Sequence, residues 1–130
     1  MSRPADLKYT KSHEWVRLEG DVAVVGITDF AVDQLGDLAF VDLPQKGTEV
    51  AAGDSFGEIE STKTVATLYA PVAGTITDVN AELEDHLQRI TDSPFEEGWL
   101  IRITVDSSEP PKDLLSAEEY AEIVAAEEGH

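Results

Sequence analysis

Lys63 is the residue whose type and setting best suit chemistry, because it is the only lysine or arginine between Lys46 and Arg89. The flanking sequence FGEIESTKTVATLYAP consists of two strand-like segments around residues 61–64, which predicts a β-hairpin with Lys63 near its tip. A primary amine on an exposed turn can enter the active site of a modifying enzyme, and its long side chain keeps an attached group clear of the sheet. On position alone, a lysine that only keeps a turn soluble is the commoner case.

A second motif, GDSFG at residues 53–57, matches GxSxG, which presents the nucleophilic serine of α/β-hydrolases. That motif requires a strand before Ser55 and a helix after it, whereas the sequence EIES that follows continues a strand pattern. The chain is also too short for that fold. We therefore reject a serine hydrolase based on Ser55 as the main interpretation and keep it as the enzyme-class alternative.

The three histidines, His13, His86 and His130, do not pair at the spacing of metal ligands on one helix or hairpin. The acids near His86 are more typical of a solvated charged face than of a binding site. We therefore expect no metal site in this chain.

Most of the chain has the pattern of short strands bounded by turns, and these strands must position the candidate residues. Only a few stretches have a helical pattern. One covers residues 28–35, with Thr28 as the N-cap and Gly36 at the end, and another covers residues 80–83. The spacing of the strands predicts a β-sandwich or barrel. The clearest strand patterns cover residues 15–18, 22–27, 38–43, 56–60, 65–69 and 99–105.

The strongest helical pattern begins at Ser116. Ser116 and Glu119 fit a capping box, in which each side chain satisfies a backbone N–H of the other residue. Tyr120, Ile123 and Val124 then form an apolar stripe. We interpret this C-terminal helix as packing against the core, without chemistry.

A short internal repeat adds to this organisation. LPQKGT at residues 43–48 and APVAGT at residues 70–75 share PxxGT, and each copy follows a strand pattern. Proline fixes φ and glycine permits positive φ, so both copies predict the same strand–turn–strand unit and two similar half-sheets that face each other.

The charge of the chain limits its partners. In 130 residues, 27 acidic and 9 basic side chains give a formal net charge of −18, which repels nucleic-acid phosphates and anionic lipid alike. The length fits one domain, with a core over about residues 7–106 and a helical tail over about residues 113–128. The sequence contains no cysteine, which excludes disulfides and thiolate metal sites.

The sequence also bears on localisation. No apolar run approaches the roughly 20 residues of a membrane-spanning helix. Residues 1–15 lack the apolar segment of a signal peptide and contain Asp6 and Glu14. We therefore expect a bacterial cytoplasmic protein, with a mature protein of an organellar matrix as the alternative.

The residues around Lys63 resemble a known motif for the attachment of a cofactor to lysine. ESTKT followed by YAPVAG is similar to the lipoyl attachment motif of glycine cleavage system H proteins. LKYTKSHEWV, VGITDFAVDQLGDLAFVDLP and SPFEEGWLIRI also resemble H-protein segments in that family's order, and the resemblance extends from about Leu7 to the C-terminal helix. Biotinyl carrier domains share the hairpin but usually have methionine on both sides of the lysine. This chain has Thr62 and Thr64 there, so a lipoyl carrier is favoured.

This resemblance implies a fold, a cofactor and partners. The fold would be the lipoyl/biotinyl-type hybrid barrel-sandwich of two antiparallel sheets, with short helices and a C-terminal α-helix. The cofactor would be lipoate, attached covalently to the side-chain nitrogen of Lys63. The chain would carry the aminomethyl group of glycine and would not itself be an enzyme. The implied partners are glycine decarboxylase (P protein), aminomethyltransferase (T protein), dihydrolipoamide dehydrogenase (L protein) and a lipoate ligase or lipoyltransferase.

The resemblance also assigns roles to two acids. Glu60, three residues before Lys63, would belong to the lipoylation motif, or it could simply point outward from an edge strand. Glu14 in SHEW would offer a counter-charge to the docked arm, or it could face solvent on an early strand. The chain departs from the family pattern at Gln34 and Thr67, where histidine and aspartate are frequent, and both departures bear on arm docking.

A third departure lies in HLQRITDSPF, where Leu87, Arg89 and Thr91 replace the family's usual proline, apolar residue and asparagine. We expect these positions in a surface loop, where they can change partner recognition. They leave a second interpretation open, an H-like lipoyl carrier for lipoate relay or sulfur metabolism. Lys63→Ala would abolish function under either carrier interpretation, whereas Ser55→Ala would do so only for the hydrolase.

Overall fold

Nine strands, all paired antiparallel, form two sheets in the part of the chain that the computed structural model describes, residues 4–106, 108 and 114–128. They are β1 (Lys8–Tyr9), β2 (Glu14–Glu19), β3 (Val22–Ile27), β4 (Leu38–Asp42), β5 (Glu49–Val50), β6 (Ser55–Ser61), β7 (Val65–Tyr69), β8 (Gly74–Val79) and β9 (Ile101–Val105). The six-stranded sheet has the order β1-β2-β3-β9-β8-β5, and the three-stranded sheet has the order β4-β6-β7. The mainly β fold is confirmed, and all six predicted strands are present.

The core lies between the two sheets, because alternate residues of each strand point inward. Val16, Val25 and Ile103 of the larger sheet share a buried cluster with Val41 and Ile59 of the smaller one. Burying one such aliphatic side chain stabilises the fold by about 1.5–3 kcal/mol. This packing fixes the three-stranded sheet, and with it the β6–β7 hairpin, on the rest of the molecule.

Helix α1 (Asp29–Leu35) connects the two sheets. It begins after Thr28, whose hydroxyl accepts a hydrogen bond from the Ala31 N–H at 3.2 Å. It ends at Gly36, which has a φ of 77° that glycine adopts without strain. Both ends agree with the sequence prediction.

The segment 80–92 differs from the prediction. A 3-10 helix, Ala81–Glu84, occupies the place of the helix predicted at residues 80–83. The expected surface loop instead contains helix α2 (Gln88–Asp92). Ile90 of α2 is fully buried in the main core. This packing holds α2 in place, although no side chain caps its N-terminus. Leu87, Arg89 and Thr91 therefore lie on or next to a short helix.

Helix α3 (Ala117–Glu128) ends the described part of the chain. The predicted capping box is confirmed: the Ser116 N–H donates to Glu119 Oε1 at 2.9 Å, and the Glu119 N–H donates to Ser116 Oγ at 3.2 Å. Tyr120 and Val124 pack in a second buried cluster. The predicted start of the tail at residue 113, and His130, lie outside the described residues. None of the helices in the described residues combines the length and the apolar character needed to cross a bilayer.

The two PxxGT copies connect the sheets. Each copy follows a strand of the three-stranded sheet, β4 or β7, and leads into a strand of the six-stranded sheet, β5 or β8. The Gly47 N–H donates to the Ile76 carbonyl at 2.7 Å, and the Ile76 N–H donates to the Thr48 carbonyl at 2.8 Å, which joins the first connection to β8. The expected strand–turn–strand units are present, but the half-sheets are unequal because β1, β2, β3 and β9 enlarge one of them.

Candidate functional site

The β6–β7 hairpin presents Lys63 at its tip, as predicted. The Ser61 N–H donates to the Thr64 carbonyl at 2.8 Å. The buried Ser61 hydroxyl accepts from the N–H groups of Lys63 and Thr64 at 3.3 and 3.1 Å. The Thr62 N–H donates to the Asp37 carbonyl at 3.0 Å. Side-chain and backbone hydrogen bonds together hold this turn and tie it to the segment after α1.

The Lys63 side chain is exposed to solvent. No salt bridge in the described part of the chain includes its ammonium group. The Lys63 side chain passes close to Gly36. A Cβ atom added to Gly36 would lie 3.6 Å from Lys63 Cε and 3.7 Å from Lys63 Nζ, which is ordinary van der Waals contact. The amine therefore stands beside the C-terminal end of α1 without an ionic partner from the described residues.

We expect Ser61→Ala to loosen the turn. The substitution removes the acceptor of two backbone N–H groups and the hydroxyl that donates to the Thr64 carbonyl at 3.2 Å. The free energy of unfolding should fall by about 1 kcal/mol, and amide hydrogen exchange at Lys63 and Thr64 should accelerate. Thr62→Ala is the matched control, because the Thr62 hydroxyl makes no hydrogen bond to a described residue. Equal exchange rates in both variants would contradict this role of Ser61.

Glu60 lies on the outer face of the three-stranded sheet. It pairs in register with Phe40 on one side and with Val65 on the other, and all three side chains are exposed. The alternative that Glu60 points outward from an edge strand is wrong as to the strand, because β6 is the central strand of this sheet. The outward orientation is present, and it leaves the Glu60 carboxylate accessible to an enzyme that approaches Lys63.

Glu14 is buried, with 1% of its surface exposed, so the alternative that it faces solvent is wrong. Its carboxylate accepts hydrogen bonds from the Thr10 hydroxyl at 2.7 Å, from the Ser12 hydroxyl and from the Tyr69 N–H at 3.4 Å. Burial raises the pKa of the Glu14 carboxyl above its ordinary value, and these hydrogen bonds oppose the rise. The burial has no local sequence signal, because Tyr69 belongs to the other sheet.

The raised pKa of Glu14 predicts a pH dependence of stability with a defined sign. The folded state binds the Glu14 proton more tightly than the unfolded state, so the contribution of Glu14 to stability falls as pH rises from 4.5 through the raised pKa. Glutamine cannot titrate. The free energy of unfolding of Glu14→Gln, measured with urea, should therefore increase relative to wild type between pH 4.5 and neutral pH. A difference between the two proteins that does not change with pH would contradict this.

Glu14 forms part of the wall of a cleft of about 260 Å³ between α1 and β7. The cleft lies near the hairpin that carries Lys63, because its lining includes Leu35, the last residue of α1, and Ala66, the second residue of β7. Gln34 and Thr67, the two departures from the family pattern, both line the cleft. Its apolar lining comes from Ile27, Phe30, Ala31, Leu35, Ala66 and Leu68.

His13 and α3 complete this cleft, a contribution that the sequence analysis missed. His13 Nε2 lies 3.2 Å from the carboxylate of Glu127, which lines the cleft. His13 Nδ1 and the Thr28 hydroxyl each lie 2.7 Å from the Tyr120 hydroxyl, and the Tyr120 ring stacks on Tyr9. The interpretation of the C-terminal helix as packing alone is therefore incomplete. A separation of 107 residues between His13 and Tyr120 leaves no local signal for this contact.

Ser55 lacks the setting of a hydrolase nucleophile. It begins β6, and the residues after it continue that strand where the hydrolase motif requires a helix. No hydrogen bond among the described residues joins Ser55 to a histidine. The hydrolase alternative has no support from this geometry.

Comparisons with known proteins give consistent matches. The family model described as Glycine cleavage H-protein matches residues 7–127. A Glycine cleavage system H protein of Rubrobacter xylanophilus is 53% identical over 125 residues, which are 96% of this chain and 97% of that protein. One of Staphylococcus epidermidis is 46% identical over 124 residues, with 95% of this chain and 98% of that protein covered. A crystal structure of a glycine cleavage system H protein from Mycobacterium marinum matches with a TM-score of 0.85 at 41% identity, and covers 98% of this chain and 100% of that one.

Proposed function

Because this chain belongs to the glycine cleavage H-protein family, we propose that it is the lipoyl carrier of a glycine cleavage system. In this role it carries the aminomethyl group of glycine from the glycine decarboxylase to the aminomethyltransferase, on a lipoyl group attached to Lys63. The protein catalyses no step itself. It brings one covalently held cofactor to successive active sites.

The main observation in support of this proposal is that the side-chain amine of Lys63 is exposed and accessible. Lys63 is exposed at the tip of a hydrogen-bonded turn, and no described residue forms a salt bridge with it. An enzyme can therefore acylate Nζ without breaking an ion pair. Amide formation removes the ammonium charge. It leaves the turn intact, because Lys63 contributes only its backbone N–H to the Ser61 hydroxyl.

The residues near Lys63 fit a lipoyl group. When attached, this group supplies a dithiolane that undergoes thiol–disulfide exchange and a sulfur that carries the aminomethyl cargo. Lys63 provides the accessible amine, and the nearby cleft provides a largely apolar lining that would shield a docked arm from water. Glu14 is proposed as the negative charge that faces a cationic cargo from the wall of this cleft.

The proposed partners follow from this role. They are the glycine decarboxylase (P protein), the aminomethyltransferase (T protein), the dihydrolipoamide dehydrogenase (L protein) and a lipoate ligase or lipoyltransferase, for which Glu60 is part of the recognised surface. A net charge of −18 favours basic surfaces on these enzymes, and association should weaken as salt rises. The curated relatives named above are bacterial, which supports a bacterial cytoplasm as the place of action.

Exchange of the carboxyl carbon of glycine with bicarbonate tests this function. The assay contains glycine decarboxylase, glycine, labelled bicarbonate and the chain, whose lipoylation is first verified by mass. We expect exchange that saturates with the concentration of the chain. Ser55→Ala should support the same rate as wild type. Exchange no faster than that of the decarboxylase alone would contradict the proposed function.

A further inference from the structure

A second depression lies between α1 and the segment that contains α2. Its volume is about 720 Å³, and we name it the α1–α2 groove. None of the described residues that line it is basic. Its apolar part consists of Phe30, Val32, Pro94 and Phe95, and its acidic part consists of Asp29, Asp33, Asp37 and Asp92.

The described residues leave most of this acidic charge unneutralised. No salt bridge in that part of the chain includes Asp33, Asp37 or Asp92, and all three side chains are exposed. Arg17 donates to the carbonyl of Phe95 in the groove wall at 2.7 Å, but its salt bridge is with Glu96, outside the groove. Arg89 of α2 likewise pairs with a glutamate outside the groove, Glu82. The groove therefore combines an apolar surface with a negative potential that attracts a cationic ligand.

The groove extends to the attachment lysine. Gly36 and Asp37 line it. The Lys63 side chain lies in van der Waals range of the Gly36 position, and the Asp37 carbonyl accepts from Thr62 in the turn. An enzyme whose active site closes over Nζ must therefore cover this end of the groove. Enzymes that act at the far end of an attached arm need not do so, because the lysine side chain and the acyl chain separate them from it.

We propose that the α1–α2 groove is the docking site for the enzyme that attaches the lipoyl group, a proposal that rests on the carrier function above. The occupant is a basic segment of that enzyme. Lysine and arginine side chains match both parts of the groove: their methylene stems pack on apolar surface such as Pro94 and Phe95, while their charged ends reach the carboxylates. Binding of this segment in the groove orients the enzyme so that its active site lies next to Lys63 Nζ.

The test compares lipoylation of the wild type with that of two double variants that lose the same charge. Asp33→Asn/Asp37→Asn alters the groove. Glu19→Gln/Asp21→Asn alters exposed positions at the turn between β2 and β3, at the other end of β2 from Glu14. A lipoate ligase activates lipoate with ATP and releases pyrophosphate, and the Lys63 amine then displaces AMP to form the amide. Intact mass follows the product.

We expect the groove variant to raise the KM of the ligase for the protein substrate about fivefold, the effect of losing two partly screened ion pairs. The kcat should not change, because the Lys63 amine is intact. The difference from wild type should shrink as salt is added, since salt screens exposed charges. The turn variant should have the KM of the wild type.

Each other outcome overturns the proposal. Equal KM values for the two double variants would show that the ligase does not dock in the groove. The carrier function would be unaffected by that result. A groove variant with normal lipoylation but slower decarboxylase-dependent exchange would assign the groove to a different partner. Failure of the ligase to lipoylate the wild type would overturn the docking site and the carrier function together.

Discussion

Lys63→Arg should abolish carrier activity and leave the fold unchanged. Arginine keeps the positive charge and the exposed position, but a lipoyl-attaching enzyme forms its amide with a lysine amine and not with a guanidinium. Glycine–bicarbonate exchange should therefore fall to that of the decarboxylase alone. The free energy of unfolding should change by no more than about 0.5 kcal/mol, because the Lys63 side chain is exposed and has no salt bridge to the described residues.

Lys46→Arg is the matched control, because Lys46 is another exposed lysine in a turn. It should gain one lipoyl group at the wild-type rate and support normal exchange. Carrier activity in Lys63→Arg, or its loss in Lys46→Arg, would show that the attachment point lies elsewhere.

The largest loss of stability should come from Tyr120→Ala. Tyr120 is fully buried, its ring stacks on Tyr9 with centroids 4.9 Å apart, and its hydroxyl contacts His13 and Thr28. Truncation of a buried aromatic residue costs about 3–5 kcal/mol, a large part of the roughly 5–15 kcal/mol that holds a typical domain together. Urea unfolding measures the loss. Limited proteolysis should also cut α3 faster, because this contact ties the helix to the sheet.

Tyr120→Phe separates the ring from its hydroxyl. Phenylalanine keeps the stacking and removes the contacts with His13 and Thr28, so we expect a loss of about 1–2 kcal/mol. The alanine variant should therefore be clearly less stable than the phenylalanine variant. Equal unfolding free energies for the two would mean that the packing of the ring contributes little.

The elements that local chemistry determines could be predicted from the sequence. Thr28 and Gly36 bound α1, and Ser116 with Glu119 begins α3, because each cap depends on residues within a few positions of one another. The hairpin at Lys63 follows in the same way from two strand patterns and the short turn between them. The exposed tip of this hairpin could be predicted because most of the hydrogen bonds that hold it, those of Ser61 with Lys63 and Thr64, are local.

Features that depend on distant contacts could not be predicted. Glu14 is buried because residues of the opposite sheet cover it, and Tyr69 donates to its carboxylate. Helix α2 forms because Ile90 finds a place in the core, although its sequence lacks a cap. Glu127 reaches the cleft only because α3 packs against residues near the start of the chain. Each of these is a tertiary contact that overrides the weak local preference.

Lipoyl attachment at Lys63 is tested by the intact mass of the wild-type chain before and after incubation with lipoate ligase, lipoate and ATP, followed by peptide sequencing. We predict the addition of one lipoyl group, on the peptide that contains Lys63 and at that residue. Addition at another lysine, or no addition under conditions in which an authentic lipoyl carrier is fully modified, would contradict it.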